Sequence, residues 1–394
     1  MDIRLKCMEC GREYEEAYRC SCGGLLDVVY EGKRNVELKG KGVWRYSSFL
    51  PDFKKRISLQ EGGTPLYKCD RLSERFGVDL YVKFEGANPT GSFKDRGMTV
   101  GISRAFELGK KRVVCASTGN TSASMAAYAA KAGMRALVIL PKGKIAMGKL
   151  AQSIFYGAEV FEIDGNFDDA MFIVERYADE GYAYMLNSLN PFRPEGQKTI
   201  GFEIAEALKG IDRVFVPVGN AANIWAIYKG FKEFLEEGLM DSMPRMVGVQ
   251  AKGAMPVVQA YESGIFRAFD NPETVATAIR IGNPVNAKKA LTAIKESDGS
   301  AIAVSDEEIL EAQRDLAVME GIGVEPASAA SFAGVKKLLA EGAIEKGERI
   351  VCVTTGHILK DPDSVMRVSV PPKSIKSYEE LLEYEHQDQC GSPA

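Results

Sequence analysis

Histidine is nearly missing from this chain, which has 2 among 394 residues. His357 and His386 cannot build a three-histidine metal site. A serine–histidine pair would have to rest on His357, because His386 lies in a polar tail, and the strained nucleophile elbow of a serine hydrolase is not in the sequence. There is no apolar run long enough to span a bilayer, and no apolar stretch of the secretory kind follows Met1, so a cytoplasmic protein with no membrane contact is expected. Charge of one sign is also lacking. Lys+Arg total 50 against Asp+Glu 54, a net charge of -4, which favours neither nucleic acid nor an anionic surface and leaves a small molecule as the expected partner. The 8 cysteines do not form the even framework of a secreted disulfide scaffold: Cys7, Cys10, Cys20 and Cys22 crowd together, whereas Cys69, Cys115, Cys352 and Cys390 are scattered.

What is present is enough apolar content, 45%, to fill two domains and an appendage. Short apolar runs at Asp79–Phe84, Arg112–Ala116, Arg135–Leu140, Glu159–Ile163, Arg213–Val218, Met246–Gln250 and Arg349–Val353 read as buried strands. Helical patterns lie between them. Gly133 closes one helix, and Ser305 with Glu308 opens another as a capping box. Strands separated by helices imply right-handed crossovers, hence an α/β fold with parallel sheets and ligands at the carboxyl ends of strands. Glu31–Gly42 reads as a linker, and the tail from Pro371 carries no readable partner signal.

Several segments carry chemistry. Lys94 sits where the turn Asn88-Pro-Thr-Gly-Ser-Phe93 enters a helix, with Ser92 expected as its cap. Alone it would be an ordinary surface lysine in a first helical turn. Ser117-Thr-Gly-Asn-Thr-Ser122 follows a strand and opens an alanine-rich helix, a place where amides and hydroxyls bind an anion. Gly219-Asn-Ala-Ala-Asn223 is a second strand-to-helix turn of small residues that lets backbone approach a phosphate. Asn187, Ser188 and Arg193 offer an amide, a hydroxyl and a guanidinium, and arginine grips phosphate with two prongs. Cys7-x2-Cys10 and Cys20-x-Cys22, with Gly11, Gly23 and Gly24 for tight turns, could converge on one tetrahedral, structural metal ion; unligated thiols are the alternative.

The segment Glu85-Gly-Ala-Asn-Pro-Thr-Gly-Ser-Phe-Lys-Asp-Arg-Gly97, taken with the ordered turns after it and Thr354-Thr-Gly-His357, resembles the threonine synthase branch of the β-family of pyridoxal-phosphate enzymes. The resemblance runs from the N-terminal cysteines to about Pro362. It implies a tryptophan synthase β-like fold: two open, twisted, mostly parallel sheets flanked by helices, plus a four-cysteine zinc-ribbon-like module. The domains it suggests are a module and linker at 1–42, a large cofactor domain at 43–97 and 186–370, a small α/β domain at 98–185 and a tail at 371–394.

By the same resemblance Lys94 carries pyridoxal phosphate as a Schiff base and then serves as a base. Asn120 bonds the cofactor's 3'-oxygen, and Gly219, Asn220, Ala221, Ala222 and Asn223 hold its phosphate, with Ala222 where the family pattern has glycine. Thr355 meets the ring nitrogen. A hydroxyl cannot stabilise a pyridinium as a carboxylate would, so that nitrogen should be largely unprotonated. Ser117, Thr118 and Thr121 take the substrate carboxylate, while Asn187, Ser188 and Arg193 take a phosphate on the substrate. His357 becomes structural, and Ala278–Val285 and Gly323–Ser328 become lining and packing. The cysteines hold structural zinc, and a homodimer is expected. The implied reaction converts O-phospho-L-homoserine and water to L-threonine and phosphate. A cysteate synthase-type replacement on O-phosphoserine fits the same phosphate clamp, and a non-catalytic zinc-ribbon binding module is the reading from another class.

Overall fold

The computed structural model describes residues 2–142, 147–364 and 374–382. In chain order its strands are β1 (Asp2–Cys7), β2 (Glu13–Tyr14), β3 (Leu26–Glu31), β4 (Leu66–Lys68), β5 (Asp79–Phe84), β6 (Arg112–Cys115), β7 (Arg135–Pro141), β8 (Glu159–Ile163), β9 (Tyr184–Met185), β10 (Arg213–Pro217), β11 (Arg245–Ala251), β12 (Ser300–Val304) and β13 (Arg349–Thr354). They make a 3-stranded antiparallel sheet, β2-β1-β3; a 6-stranded sheet, β12-β11-β10-β13-β5-β4; and a 4-stranded sheet, β8-β7-β6-β9.

The two larger sheets are parallel apart from β4, which runs antiparallel along the edge of β5. The inner strands β6, β7, β10, β11 and β13 are largely buried apolar runs because helices cover both faces, whereas the edge strand β8, expected to be buried, is only half-buried with Phe161 exposed. In the larger sheet Val214 pairs with Met246 on one side and Val351 on the other. Every strand expected from the apolar runs is present, displaced by at most one residue at an end. The strands missed are β1, β2 and β3 of the cysteine module, the short β4 and β9, and β12, whose Ser-Ala-Ile-Ala-Val run carries little apolar volume.

Gly133 ends the helix Asn120–Ala132 in the left-handed region, and Ser305 and Glu308 form the expected capping box of the helix Asp306–Glu320. The helix Ala222–Glu236 is buried on most of its length, with Phe234 stacked on Phe202 at 4.3 Å. No helix among the described residues is long and apolar enough to cross a membrane. Of the expected tail, 374–382 is described, with 378–382 helical and exposed. His386 and the remainder of the tail lie outside the described residues. What this architecture does for function is to bring five strand ends together: β5, β10 and β13 from the larger sheet and β6 and β9 from the smaller all run into one cleft.

Candidate active site

The turn after β5 is held by buried charge. Asp95 accepts hydrogen bonds from the Thr90 amide (2.7 Å) and hydroxyl (2.6 Å) and from Ser124 Oγ (2.5 Å), and burial raises its carboxyl to about 6 against those bonds. Arg96 is fully buried between two carboxylates, donating from Nε to Glu85 at 2.6 Å and from Nη1 to Glu203 at 2.7 Å. Lys94, beside them in sequence, is different. Its side chain is half-buried and lines the cleft, its nearest charged-to-ring contact is Phe93 at 4.2 Å, and it makes no hydrogen bond or ion pair among the described residues. Burial, then the charge of Arg193, pushes the amine down to about 7 against the pull of Glu325. Ser92 is not the cap expected of it. Phe93 occupies that position in a helical conformation, because the Thr90–Asp95 pairing turns the chain first, and the Ser92 hydroxyl is buried without a partner.

Arg193 reaches the same cleft through an unusually close crossing of two helices. A Cβ on Gly196 would stand 1.7 Å from the Arg96 carbonyl oxygen, so only glycine lets the helix Arg193–Gln197 lie against the helix Lys94–Glu107. The guanidinium is 2% exposed, donates from Nη1 to the Leu186 carbonyl at 3.1 Å, and leaves Nε without a partner. Burial lowers it to about 10. No carboxylate among the described residues pairs with it. Asn187 joins the ends of β6 and β9, accepting from the Ala116 amide and donating to the Ala116 carbonyl, both at 3.1 Å.

Two long helices point their amino ends into the cleft, Asn120–Ala132 and Ala222–Glu236, and neither has a side-chain cap. The helices Phe167–Asp179, whose first residue also touches the cavity, and Asp306–Glu320 both carry complete capping boxes. The open starts leave backbone N–H groups and the positive ends of the helix dipoles facing the cavity. Ala221 is left-handed (φ 68), a conformation that a non-glycine residue adopts only where its surroundings impose it. The family glycine falls one residue later, at Ala222, which is already the first residue of the helix and accepts a Cβ. Asn223 is buried with both side-chain amide atoms unpartnered.

Thr355, at the end of β13, has its hydroxyl 3.0 Å from Ser328 Oγ. His357 takes a structural place: Nδ1 accepts from the Leu359 amide at 3.1 Å and the ring leans on Phe84. Lys94, Ser117, Thr118, Asn120, Thr121, Asn187, Ser188, Arg193, Gly219, Asn220, Ala221, Ala222, Asn223 and Thr355 all line a single cavity of about 310 Å³. Two further residues were not singled out from the sequence. Glu325 is buried, accepts from Asn120 Nδ2 at 3.1 and 3.2 Å, and is raised by desolvation. Lys360 donates to the Thr90 carbonyl at 3.1 Å and to Gln152, and burial lowers it. The signal for Glu325 was its place just before a proline that opens a helix.

This arrangement fits pyridoxal phosphate. A half-buried amine lowered to about 7 suits an aldehyde, an open helix start beside an unpartnered Asn223 suits a phosphate, and a hydroxyl at a strand end suits a ring nitrogen. The unpaired Arg193 is left over for a second anion.

The cysteines form a separate centre. The Sγ atoms of Cys7, Cys10, Cys20 and Cys22 all lie within 4.8 Å of one another, with Cys7 and Cys22 at 3.6 Å and Cys10 and Cys20 at 3.5 Å. A tetrahedral zinc with bonds of about 2.3 Å requires sulfurs about 3.8 Å apart, so the set fits that ion. Gly24 is needed there, since a Cβ would come 2.7 Å from Cys7 Sγ.

Comparison with known proteins agrees with this geometry. Residues 57–356 match the family model described as pyridoxal-phosphate dependent enzyme. The chain is 57% identical over 386 residues to a threonine synthase of Methanosarcina acetivorans, covering 94% of this chain and 95% of that protein. It is 58% identical over 392 residues to a threonine synthase of Methanocaldococcus jannaschii, covering 94% and 96%. Among solved structures, the processed form of threonine deaminase isoform 2 from Solanum lycopersicum shares the fold at 24% identity, with a TM-score of 0.67 over 78% of this chain and 88% of that one. Maize serine racemase does so at 21% identity, TM-score 0.67, over 84% and 94%. The chain therefore belongs to the pyridoxal-phosphate dependent enzymes and, within them, to the threonine synthases.

Proposed function

We infer that the protein converts O-phospho-L-homoserine and water to L-threonine and phosphate. The observation that carries the substrate reading is Arg193: a buried guanidinium with no carboxylate partner among the described residues, in the same cavity as Lys94 and the helix start at Gly219–Asn223. One cavity thus offers two anion-binding places.

Pyridoxal phosphate, when bound, supplies an aldehyde for an amine and a sink for electrons released at the adjacent carbons. Lys94 Nζ would hold that aldehyde, Asn120 its 3'-oxygen, Thr355 its ring nitrogen, and the residues from Gly219 to Asn223 its phosphate. The substrate carboxylate would take the hydroxyls and amides of Ser117, Thr118 and Thr121, and its phosphate would take Arg193, Ser188 and the polar edge of Asn187. Lys94 Nζ would take the protons that leave the α and β carbons and return protons to the γ and α carbons, while the second proton of the added water departs on the phosphate. Arg193 draws negative charge onto the leaving phosphate at the γ carbon, and water delivers its oxygen to the β carbon. Cys7, Cys10, Cys20 and Cys22 would hold a structural zinc, a closed four-sulfur site with no open position for chemistry. Residues 98–185 act as the small domain, and the assembly is a homodimer.

The deciding assay measures phosphate release from O-phosphohomoserine and, separately, from O-phosphoserine with sulfite, and identifies the amino acid formed. Threonine from the first alone is expected. Release from phosphoserine alone would replace this reading with a sulfur-nucleophile synthase.

A further inference from the structure

The cysteine module is joined to the catalytic domain by a chain of buried charge. Asp27, on β3, begins just after the cysteine loops: Cys7 pairs with Leu26 across the sheet, and the Cys20 amide donates to the Gly24 carbonyl. Asp27 Oδ2 accepts from Lys229 Nζ at 2.9 Å, and Oδ1 accepts from Trp225 Nε1 at 3.2 Å and Lys289 Nζ at 3.3 Å. Lys229 also donates to the Val28 carbonyl at 2.7 Å and to Glu195 Oε1 at 2.6 Å, while Glu195 Oε2 accepts from Tyr30 of the module at 2.5 Å.

Both ends of this chain lie next to the active site. Trp225 and Lys229 sit in the first two turns of the helix Ala222–Glu236, whose open start faces the cavity. Glu195 shares the short helix Arg193–Gln197 with the unpaired arginine. Both helices thus depend on one strand of the module, and that strand depends on the cysteine loops. The linkage is directional and rigid, since charge-assisted bonds of this length tolerate little displacement.

We propose that Asp27 is a positioning residue through which the metal-bound cysteine module sets the place of both anion-binding segments, the helix start at Ala222–Asn223 and the Arg193 turn. The proposal rests on the functional reading above. It makes the module a determinant of cofactor and substrate affinity rather than a detached stabilising appendage.

Asp27→Asn in the full chain keeps the shape and removes the charge that holds Lys229 and Lys289. Cofactor affinity is read by titrating pyridoxal phosphate against its absorbance on Lys94, alongside KM and kcat. The cofactor Kd and the KM for the phosphorylated substrate should each rise about tenfold, with kcat at saturation within about twofold of the parent. Trp225→Phe, which removes a single donor and keeps the packing, should shift both in the same direction by less. Tyr46→Phe, which loses a half-buried bond to Glu206 at residues that do not line the cleft, should lower Tm without moving either constant. Stripping the metal from the parent with a chelator should reproduce the Asp27→Asn values and add little to that variant. The proposal fails if Asp27→Asn and Trp225→Phe lower Tm as Tyr46→Phe does while Kd and KM stay put, or if chelation weakens parent and variant by equal factors. A parent that binds no pyridoxal phosphate at all would instead overturn the functional reading.

Discussion

The protein treats its buried basic side chains in two opposite ways. At the junction between module and catalytic domain Lys198, Lys229 and Lys289 meet Asp27, Glu195 and Glu233, and each charge has an opposite one within 3.3 Å. In the cavity Lys94 and Arg193 have no carboxylate partner among the described residues, and Arg193 Nε and both Asn223 amide atoms have no hydrogen-bond partner. Burying an unpaired charge is unfavourable unless something else repays it. Paired burial is therefore the mark of architecture here, and unpaired burial the mark of a place reserved for a ligand.

The largest effect that could break this contrast is at Lys94. Lys94→Ala should abolish the absorbance of bound pyridoxal phosphate and lower turnover by at least about a thousandfold; a variant that keeps both would remove Lys94 from the chemistry. Next comes a stability comparison by denaturant melts of the cofactor-free protein. Lys198→Met takes from Glu195 and Glu233 a cation that Lys229 and Arg34 only partly replace and should destabilise by about 3 kcal/mol, whereas Arg193→Met, which leaves no carboxylate short of a cation and only the Leu186 carbonyl unbonded, should stay within about 1 kcal/mol of the parent. Equal losses in the two would erase the distinction between the regions.

The remaining effect is one of pH. The Lys94 amine sits at about 7 in the folded chain and near the usual lysine value, about 10, when unfolded, so the folded state binds fewer protons between those limits and its stability rises with pH across them. Lys94→Met should flatten that slope in the cofactor-free protein. Over the lower part of the range, capture of pyridoxal phosphate by the parent should quicken from pH 6 to 8 as the free amine becomes populated. Stopped-flow rates that fall with pH would place the amine elsewhere.

Much of this was readable in the sequence, and for a physical reason. Buried parallel strands must be apolar on both faces, so Arg213–Pro217 and Arg349–Thr354 announce themselves to within one residue. Turns that serve ligands must use small and polar residues, so Ser117–Thr121 and Gly219–Asn223 stand out beside them. What stayed hidden depends on tertiary pairing. That Thr90 rather than Ser92 shapes the approach to Lys94 follows from Asp95 reaching backward across a turn and sideways to Ser124. That the left-handed residue is Ala221 and not Ala222 is a matter of where the helix begins. Glu325 reads as an ordinary residue before proline until Asn120, from a distant helix, is seen to donate to it.

The uncapped helix starts reach beyond catalysis into how the protein lives between synthesis and first use. On the proposed assignment, a bound anion at Gly219–Asn223 would complete a helix that the polypeptide itself leaves without a side-chain cap, and the cofactor would act as a last piece of the fold supplied from outside. By mass action a ligand at a hundredfold excess over its Kd adds about 2.7 kcal/mol to stability. The amides of the two turns should then exchange their hydrogens fast in the cofactor-free chain and slowly in the loaded one, while the boxed helices at Asn166 and Ser305 exchange alike in both.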